Sequence, residues 1–384
     1  MKNVAILGST GSIGRNTLEV IDNLSHRYNV TGLAAGRNLE LIQVQIDQFH
    51  PEIVSLETEA HAAEVERRIG TNDVRVVFGQ EGAEEVASYA KNDIVVSSIT
   101  GIDGLRPTLA AVRSGKRIAL ANKESMVVAG PLIQKIAAES GAEIIPVDSE
   151  HSGVFQCLAK EDRTGVKKVI LTASGGPFLN TPANEMKNKT VTDALNHPRW
   201  SMGEKVTVDS ATLMNKGLEL IEARWLFGLE PEKLGILIHP QSIVHSLIEM
   251  QDGSVLAQLS PTDMKIPIQY ALTYPEREKG LLPPLDLSQT GALEFYAVDH
   301  EKFPLVDLAR QALLENNSFS IALNAANEVV VTAFLKEEIG FSDIPAVVAE
   351  VLDGHEAREV ATVGEIFAID RDSRSRTRKL LEQR

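Results

Sequence analysis

The chain has 384 residues, more than one hydrophobic core usually organises, so two or three domains are expected. At 43% hydrophobic and 24% charged it has the composition of a soluble globular protein, and no apolar run approaches the ~18 residues that span a bilayer. A formal net charge of −15 argues against a nucleic-acid partner, so any phosphate must be met by a local basic or amide-rich pocket.

Strands are expected at 3–7, 29–34, 52–56, 74–78, 94–98, 117–121 and 143–147. Each is a Val/Ile/Leu-rich run of the kind that buried parallel strands require. The first of them, Val4-Ala5-Ile6-Leu7, is too short for a signal h-region and reads as a buried strand. Amphipathic segments at 38–48, 58–69, 102–113 and 130–139 alternate with these runs, which makes a doubly wound, Rossmann-type α/β domain. After residue 150 the rhythm changes. Residues 174–205, rich in Gly, Pro, Asn and Lys, read as a long mobile loop, and a strong helix is expected from about 211. Strand-like pieces at 235–239 and 254–259 suggest α+β. Residues 275–300, with Pro275, Pro283 and Pro284, read as a linker. From about 304 the pattern is helical, with apolar spacing in 305–314 and 321–335, and the basic run at 371–378 reads as a solvated terminal helix. Cys157 is the only cysteine, so no intrachain disulfide can form; a reducing cytoplasm fits, and its apolar neighbours suggest a core thiol.

Three clusters carry chemistry. Gly8-Ser9-Thr10-Gly11-Ser12-Ile13-Gly14 follows a strand and precedes a helix, where glycines and helix amides can approach a pyrophosphate. A tight turn without ligand would use the same glycines. The second strand ends at Ala35-Gly36-Arg37-Asn38, with Arg37 where an NAD site usually has an acid. A guanidinium suits a 2′-phosphate and hence NADP(H); the plainer reading is a surface cation. Asn122-Lys123-Glu124-Ser125 stands at the end of another parallel strand. There Lys123 could orient substrate, and Asn122 and Glu124 could touch the nicotinamide end.

The second cluster is Val147-Asp148-Ser149-Glu150-His151. Read as extended chain, Asp148 and Glu150 point the same way and ask for a cation; read as a helix start, Asp148 or Ser149 is a cap and Glu150 lies in the first turn. The third is Asp209-Ser210-Ala211-Thr212-Leu213-Met214-Asn215-Lys216-Gly217-Leu218-Glu219. Ser210 could cap a helix starting at Ala211. Asn215 and Glu219 are i,i+4 and Lys216 and Glu219 are i,i+3, so all three share a face. A half-buried polar face needs partners. Glu219 as a third metal carboxylate, with Lys216, Asn215 and Ser210 on a phosphate, would supply them. An all-oxygen set suits Mg²⁺ or Mn²⁺. Thr172-Ala173-Ser174-Gly175-Gly176-Pro177-Phe178 offers hydroxyl and amide donors to phosphate. His197-Pro198-Arg199-Trp200-Ser201-Met202-Gly203 could close over a ligand, or Trp200 could simply anchor the loop.

Taken together, these motifs resemble the 1-deoxy-D-xylulose 5-phosphate reductoisomerase family over essentially the whole chain, reaching into His239-Pro240-Gln241-Ser242. The resemblance implies an NADPH-binding domain at 1–149, a catalytic domain at 150–274 that also forms a homodimer contact, a linker at 275–299 and a helical domain at 300–384. It implies a cytoplasmic enzyme of the non-mevalonate isoprenoid pathway, with no membrane or nucleic-acid partner. Such an enzyme rearranges the carbon skeleton of 1-deoxy-D-xylulose 5-phosphate, by retro-aldol cleavage and re-addition, and reduces the aldehyde with NADPH to 2-C-methyl-D-erythritol 4-phosphate. By similarity, Asp148, Glu150 and Glu219 hold Mg²⁺ or Mn²⁺, with Co²⁺ also admissible. Lys123, Glu150 and His197 are the catalytic candidates. Lys123, Ser149, Glu150, Ser174, His197, Ser210, Asn215, Lys216 and Glu219 face the substrate. Thr10, Gly11, Ser12, Ile13, Gly36, Arg37, Asn38, Asn122, Glu124 and Gly203 contact NADPH. Two rival readings use fewer of these residues. A plain NADP-dependent dehydrogenase has no need of three carboxylates with a phosphate nest, and a non-catalytic NADP sensor has no use for Asp148, Glu150 and Glu219.

Overall fold

The computed structural model describes residues 1–70, 73–200 and 202–384 and divides into two compact units. Ser201 of the candidate closing stretch lies outside the described residues.

The first unit comprises Met1–Ser125, Ile133–Ser152 and Asp263–Pro283. Its strands are β1 (Lys2–Leu7), β2 (Tyr28–Ala34), β3 (Ile53–Leu56), β4 (Arg75–Phe78), β5 (Ile94–Ser97), β6 (Arg117–Leu120) and β7 (Glu143–Pro146). They form one parallel sheet in the order β4-β3-β2-β1-β5-β6-β7. All seven expected strands are present to within a residue or two. For the central strands the reason is burial on both faces: Val4, Ala5, Ile6 and Leu7 are wholly buried, so the run cannot alternate with polar residues, whereas the edge strand β4 is partly exposed along its length. The strand order reverses between β1 and β5, which opens a ligand crevice at the carboxyl ends of the central strands. The helix Lys265–Thr273 closes one side by packing on Ser12–Asn23, with Lys265 Nζ 2.7 Å from a Glu19 carboxylate oxygen. Helix Gly79–Ser88, between β4 and β5, was not among the expected elements.

The second unit comprises Met126–Leu132, Gly153–Thr262 and Pro284–Arg384. Its four-stranded mixed sheet runs in the order β11-β10-β8-β9, from β8 (Val166–Ala173), β9 (Leu234–Ile238), β10 (Val244–Met250) and β11 (Val255–Leu259). Only β9 and β11 were expected. The stretch taken as a loop, 174–205, contains a 3₁₀ turn at Ala183–Asn188 and a helix at Val191–Leu195. Apolar periodicity is weak there, but a reciprocal capping box between Thr190 and Asp193 supports the short helix.

Helices Leu305–Leu314, Asn317–Leu335, Asp343–Asp353 and Val363–Leu381 complete this unit. Asn317–Leu335 is long and apolar enough to cross a membrane, contrary to the reading of the run alone, but 72% of its apolar window is buried in protein and it is a core helix. The terminal helix is less solvated than expected. Arg374 is largely buried and pairs with both Asp370 and Glu328.

Candidate active site

In the first unit, β1 ends at Gly8, whose φ of +87° only glycine adopts readily. Its N–H donates to Ala34 O at 2.8 Å, and the Gly11 N–H returns to Gly8 O at 3.1 Å. A Cβ on Gly14 would lie 2.4 Å from Gly8 O, so the helix Ser12–Asn23 starts hard against the loop. Its N-cap is Gly11, no side chain caps it, and its first turn holds no acid. The amides of Ser12, Ile13 and Gly14 therefore form the uncapped, positive end that a pyrophosphate fits. Gln45 braces the loop from below by donating to Ser9 O at 2.9 Å. Sequence reasoning missed Gln45; the only signal was a polar residue on the buried face of helix Leu39–Phe49.

Arg37 lies just beyond β2, its side chain 81% exposed, and its Nε and Nη2 grip the two Glu57 carboxylate oxygens at 2.8 and 3.0 Å. The guanidinium holds the Glu57 carboxyl below its ordinary range. Asn38 caps the next helix, accepting the Leu41 N–H at 3.0 Å. Asn122 also caps, accepting from Ser125 N at 2.7 Å, while its amide nitrogen donates to the carbonyls of Ile99 and Gly101. A cofactor contact from Asn122 would therefore come through its backbone.

Lys123 opens the helix after β6, and Asp148 follows β7, the neighbouring strand. The two half-buried side chains form an ion pair. The chain turns into the helix Ser149–Leu158 at once, so Glu150 lies in a first helical turn. The extended, same-side geometry for Asp148 and Glu150 is thus replaced by a helix start, fixed by the Ser152 N–H donating to Asp148 O at 2.8 Å. Ser149 Oγ donates to the Glu150 carboxylate at 2.8 Å. Cys157, on the same helix, is partly exposed, and burial pushes its thiol pKa up.

In the second unit, Ser174 follows β8. Its Oγ lies 3.0 Å from His197 Nε2 and accepts the Gly176 N–H at 3.2 Å. His197 Nδ1 accepts the N–H groups of Arg199 and Trp200 at 3.1 and 2.9 Å. With Nδ1 an acceptor, the neutral ring carries its proton on Nε2 and donates to Ser174. Burial holds this imidazole down to about 4, so it is neutral at ordinary pH. Thr172, expected beside Ser174, is spent on the sheet, its hydroxyl 2.7 Å from Val244 O. Gly176 has φ +65°, and a Cβ there would stand 2.5 Å from Ser210 O. The Ser174 loop and Ser210 are thereby pressed together.

Ser210 does not cap a helix. It lies in the last turn of the helix Glu204–Ala211, and a second helix begins at Met214 after Leu213 turns left-handed at φ 58°. The switch lets Ser210 end one helix while Asn215 and Lys216 start the next. Both oxygens of the fully buried Glu219 are then engaged, one by Asn215 Nδ2 and one by Lys216 Nζ, each at 2.5 Å. The shared face expected from the spacing is present. Gly203 caps Glu204–Ala211, and a Cβ there would meet nothing within 4 Å, so protein packing does not demand glycine at that position. Trp200 rests edge-on to His245, ring centroids 6.4 Å apart, and Arg199 Nε reaches Pro240 O at 3.1 Å.

Family models for 1-deoxy-D-xylulose 5-phosphate reductoisomerase match residues 4–130, its C-terminal domain residues 144–227, and a further DXP reductoisomerase C-terminal domain residues 259–376. The chain belongs to the 1-deoxy-D-xylulose 5-phosphate reductoisomerase family. It is 49% identical to the reductoisomerase of Prosthecochloris aestuarii (strain DSM 271 / SK 413), over 97% of this chain and 98% of that one. It is 48% identical to the reductoisomerase of Geobacter metallireducens (strain ATCC 53774 / DSM 7210 / GS-15), over 99% of each. Among solved structures, a reductoisomerase in complex with NADPH, fosmidomycin and magnesium superposes with a TM-score of 0.93 at 42% identity, covering 100% of this chain and 98% of that one. The reductoisomerase of Zymomonas mobilis in complex with NADPH superposes with a TM-score of 0.94 at 39% identity, covering 99% of each. The Rossmann-type α/β fold expected for the family is thus the fold observed.

Proposed function

We propose that this reductoisomerase-family chain converts 1-deoxy-D-xylulose 5-phosphate to 2-C-methyl-D-erythritol 4-phosphate, using NADPH and a divalent metal, in isoprenoid synthesis. One structural observation carries the site assignment: the buried Asn215–Glu219–Lys216 cluster one helical turn beyond Ser210. Burying an ammonium and a carboxylate is unfavourable unless both are satisfied, and an apolar pair would stabilise the fold as well. A ligand gives these charges a use.

The residues fit both groups. The uncapped helix behind Gly8, Gly11 and Gly14 is a cradle that a Cβ would fill. Thr10, Gly11, Ser12 and Ile13 would meet the pyrophosphate, Gly36, Arg37 and Asn38 the adenosine 2′-phosphate, and Asn122, Glu124 and Gly203 the nicotinamide end. Asp148, Glu150 and Glu219 offer only carboxylate oxygens, the chemistry of a Mg²⁺ site, with Mn²⁺ or Co²⁺ as alternatives. When bound, these groups supply a Lewis acid for the substrate's carbonyl and hydroxyl oxygens and a hydride for the aldehyde.

The protein's own groups do the rest. Ser174, Ser210, Asn215, Lys216 and the His197 Nε2–H hold the substrate, chiefly its phosphate, and that remote grip positions the reacting carbons. Lys123 orients the substrate's oxygens and, before substrate arrives, offsets Asp148. Ser149 holds Glu150 in a direction from which it can accept or return a hydroxyl proton. Trp200 and its stretch shield the reactive intermediate from water.

The domain division at 149, 274 and 300, a homodimer, and a cytoplasmic location consistent with a single cysteine belong to the same reading. The test is NADPH oxidation with 1-deoxy-D-xylulose 5-phosphate, with and without divalent metal. No metal-dependent oxidation would remove the reading; oxidation without skeletal rearrangement would favour a plain dehydrogenase.

A further inference from the structure

Asp209 precedes Ser210 and takes no part in the chemistry above, yet it is only 1% exposed. A carboxylate beside a phosphate site repels its ligand unless its charge is met. Here it is met twice within the second unit. Lys205 Nζ lies 2.8 Å from one oxygen, and Asn327 Nδ2 donates to the other at 2.8 Å. Lys205 comes from the same helix; Asn327 comes from the core helix Asn317–Leu335, 118 residues further along the chain, and is wholly buried. One turn away, Asn324 donates to Glu328 at 3.0 Å, and Glu328 pairs with Arg374. Asn327 therefore stands on a helix tied down by polar contacts on neighbouring positions.

The main chain after Asp209 is strained. Thr212 Oγ1 donates to Asp209 O at 3.2 Å and accepts the Met214 N–H at 3.3 Å, spanning Leu213. A left-handed non-glycine residue is disfavoured and persists only where its surroundings over-determine it. This turn also sets Ser210 against Asn215 and Lys216.

We propose that Asp209 and Asn327 are a positioning pair, through which the C-terminal helices fix the 210–216 turn in the geometry that grips the substrate's phosphate. The inference rests on the reading that Ser210, Asn215 and Lys216 take that phosphate. A purely stabilising role would be served as well by an apolar pair; a single directed hydrogen bond to a carboxylate one residue from Ser210 serves placement.

The full-length enzyme tests it through Asn327→Leu, Asn327→Ser and the exchange Asp209→Asn with Asn327→Asp. The readouts are the KM for 1-deoxy-D-xylulose 5-phosphate, kcat, competitive inhibition by inorganic phosphate, NADPH affinity by fluorescence titration, and thermal midpoint. We expect Asn327→Leu to raise KM and weaken phosphate inhibition by a similar factor, roughly tenfold, because a charge-assisted hydrogen bond that holds the turn is lost. NADPH affinity should stay unchanged and kcat nearly so. The exchange, which restores an amide–carboxylate bond, should recover much of both losses. Should Asn327→Leu fail to fold, Asn327→Ser carries the same expectation. A lower thermal midpoint with unchanged KM and phosphate inhibition would overturn the proposal, as would equal losses toward phosphate and NADPH. Ser210→Ala is the control: if it alters neither KM nor phosphate inhibition, the phosphate reading itself fails, whereas an effect there with none at Asn327 rejects only the positioning pair.

Discussion

Arg37 and Glu57 meet fork to fork, with Nε and Nη2 of the guanidinium on the two carboxylate oxygens at 2.8 and 3.0 Å. The pair joins the loop after β2 to the end of β3, at the place where a 2′-phosphate is expected. An exposed pair of this kind contributes little stability, so its worth lies in aiming the guanidinium. Arg37→Ala should weaken NADPH binding by roughly tenfold or more and leave NADH nearly unaffected. It also leaves the Glu57 carboxylate facing the phosphate, so adding Glu57→Gln should restore part of the affinity. Equal losses for NADPH and NADH in equilibrium titrations would make Arg37 a structural residue.

His197 makes stability depend on pH. Its pKa is about 4 in the folded chain against an ordinary 6.5, and the cause is burial. Between those values the unfolded chain binds the extra proton and the folded chain does not. Stability from this group is therefore full above about pH 6.5, falls as pH drops toward 4, and is flat below. Protonation would also oppose the Arg199 and Trp200 N–H groups that Nδ1 accepts. Thermal midpoints of the wild type and His197→Asn from pH 7 to 4 should converge as pH falls; parallel curves would contradict the assignment.

The carboxylates should separate metal from cofactor. Asp148→Asn and Glu219→Gln are each expected to abolish turnover while NADPH still binds, because the nucleotide loop shares neither residue. In Glu219→Gln, Asn215 and Lys216 also lose a charged acceptor, so some loss of phosphate affinity should accompany it. Full turnover at low Mg²⁺ in either variant would take that residue out of the metal site.

Gly176→Ala tests the contact between the Ser174 loop and Ser210. The new methyl would meet Ser210 O at 2.5 Å on a backbone already at φ +65°. A stability loss of about 1–3 kcal/mol is expected, with a raised KM for the phosphorylated substrate and unchanged NADPH affinity. Denaturant titration and steady-state kinetics check both halves; an unchanged KM would show that the loop does not touch the phosphate.

The sequence alone determined the features that local chemistry dictates. The central parallel strands were legible because they are buried on both faces, the edge strand β4 only from its Val76-Val77 run, and the glycine loop because its glycines sit between a strand and a helix. The Asn215, Lys216 and Glu219 face followed from helical spacing, and the helices at 305–314 and 321–335 from apolar periodicity. Tertiary structure decided what depends on distant partners. β8 and β10 exist because they pair with each other and with β9 and β11. Ser210 ends a helix because Leu213 is held left-handed, a conformation that propensity disfavours and packing enforces. Glu150 turned into a helix where extended chain was one of two readings. Arg374 was taken for a solvated cation, and only the fold could bring Glu328 to it. The partners Glu57 on Arg37, Ser9 over Gln45 and Asn327 on Asp209 could not be read from the sequence for the same reason: each hydrogen bond joins elements whose proximity the folded chain creates.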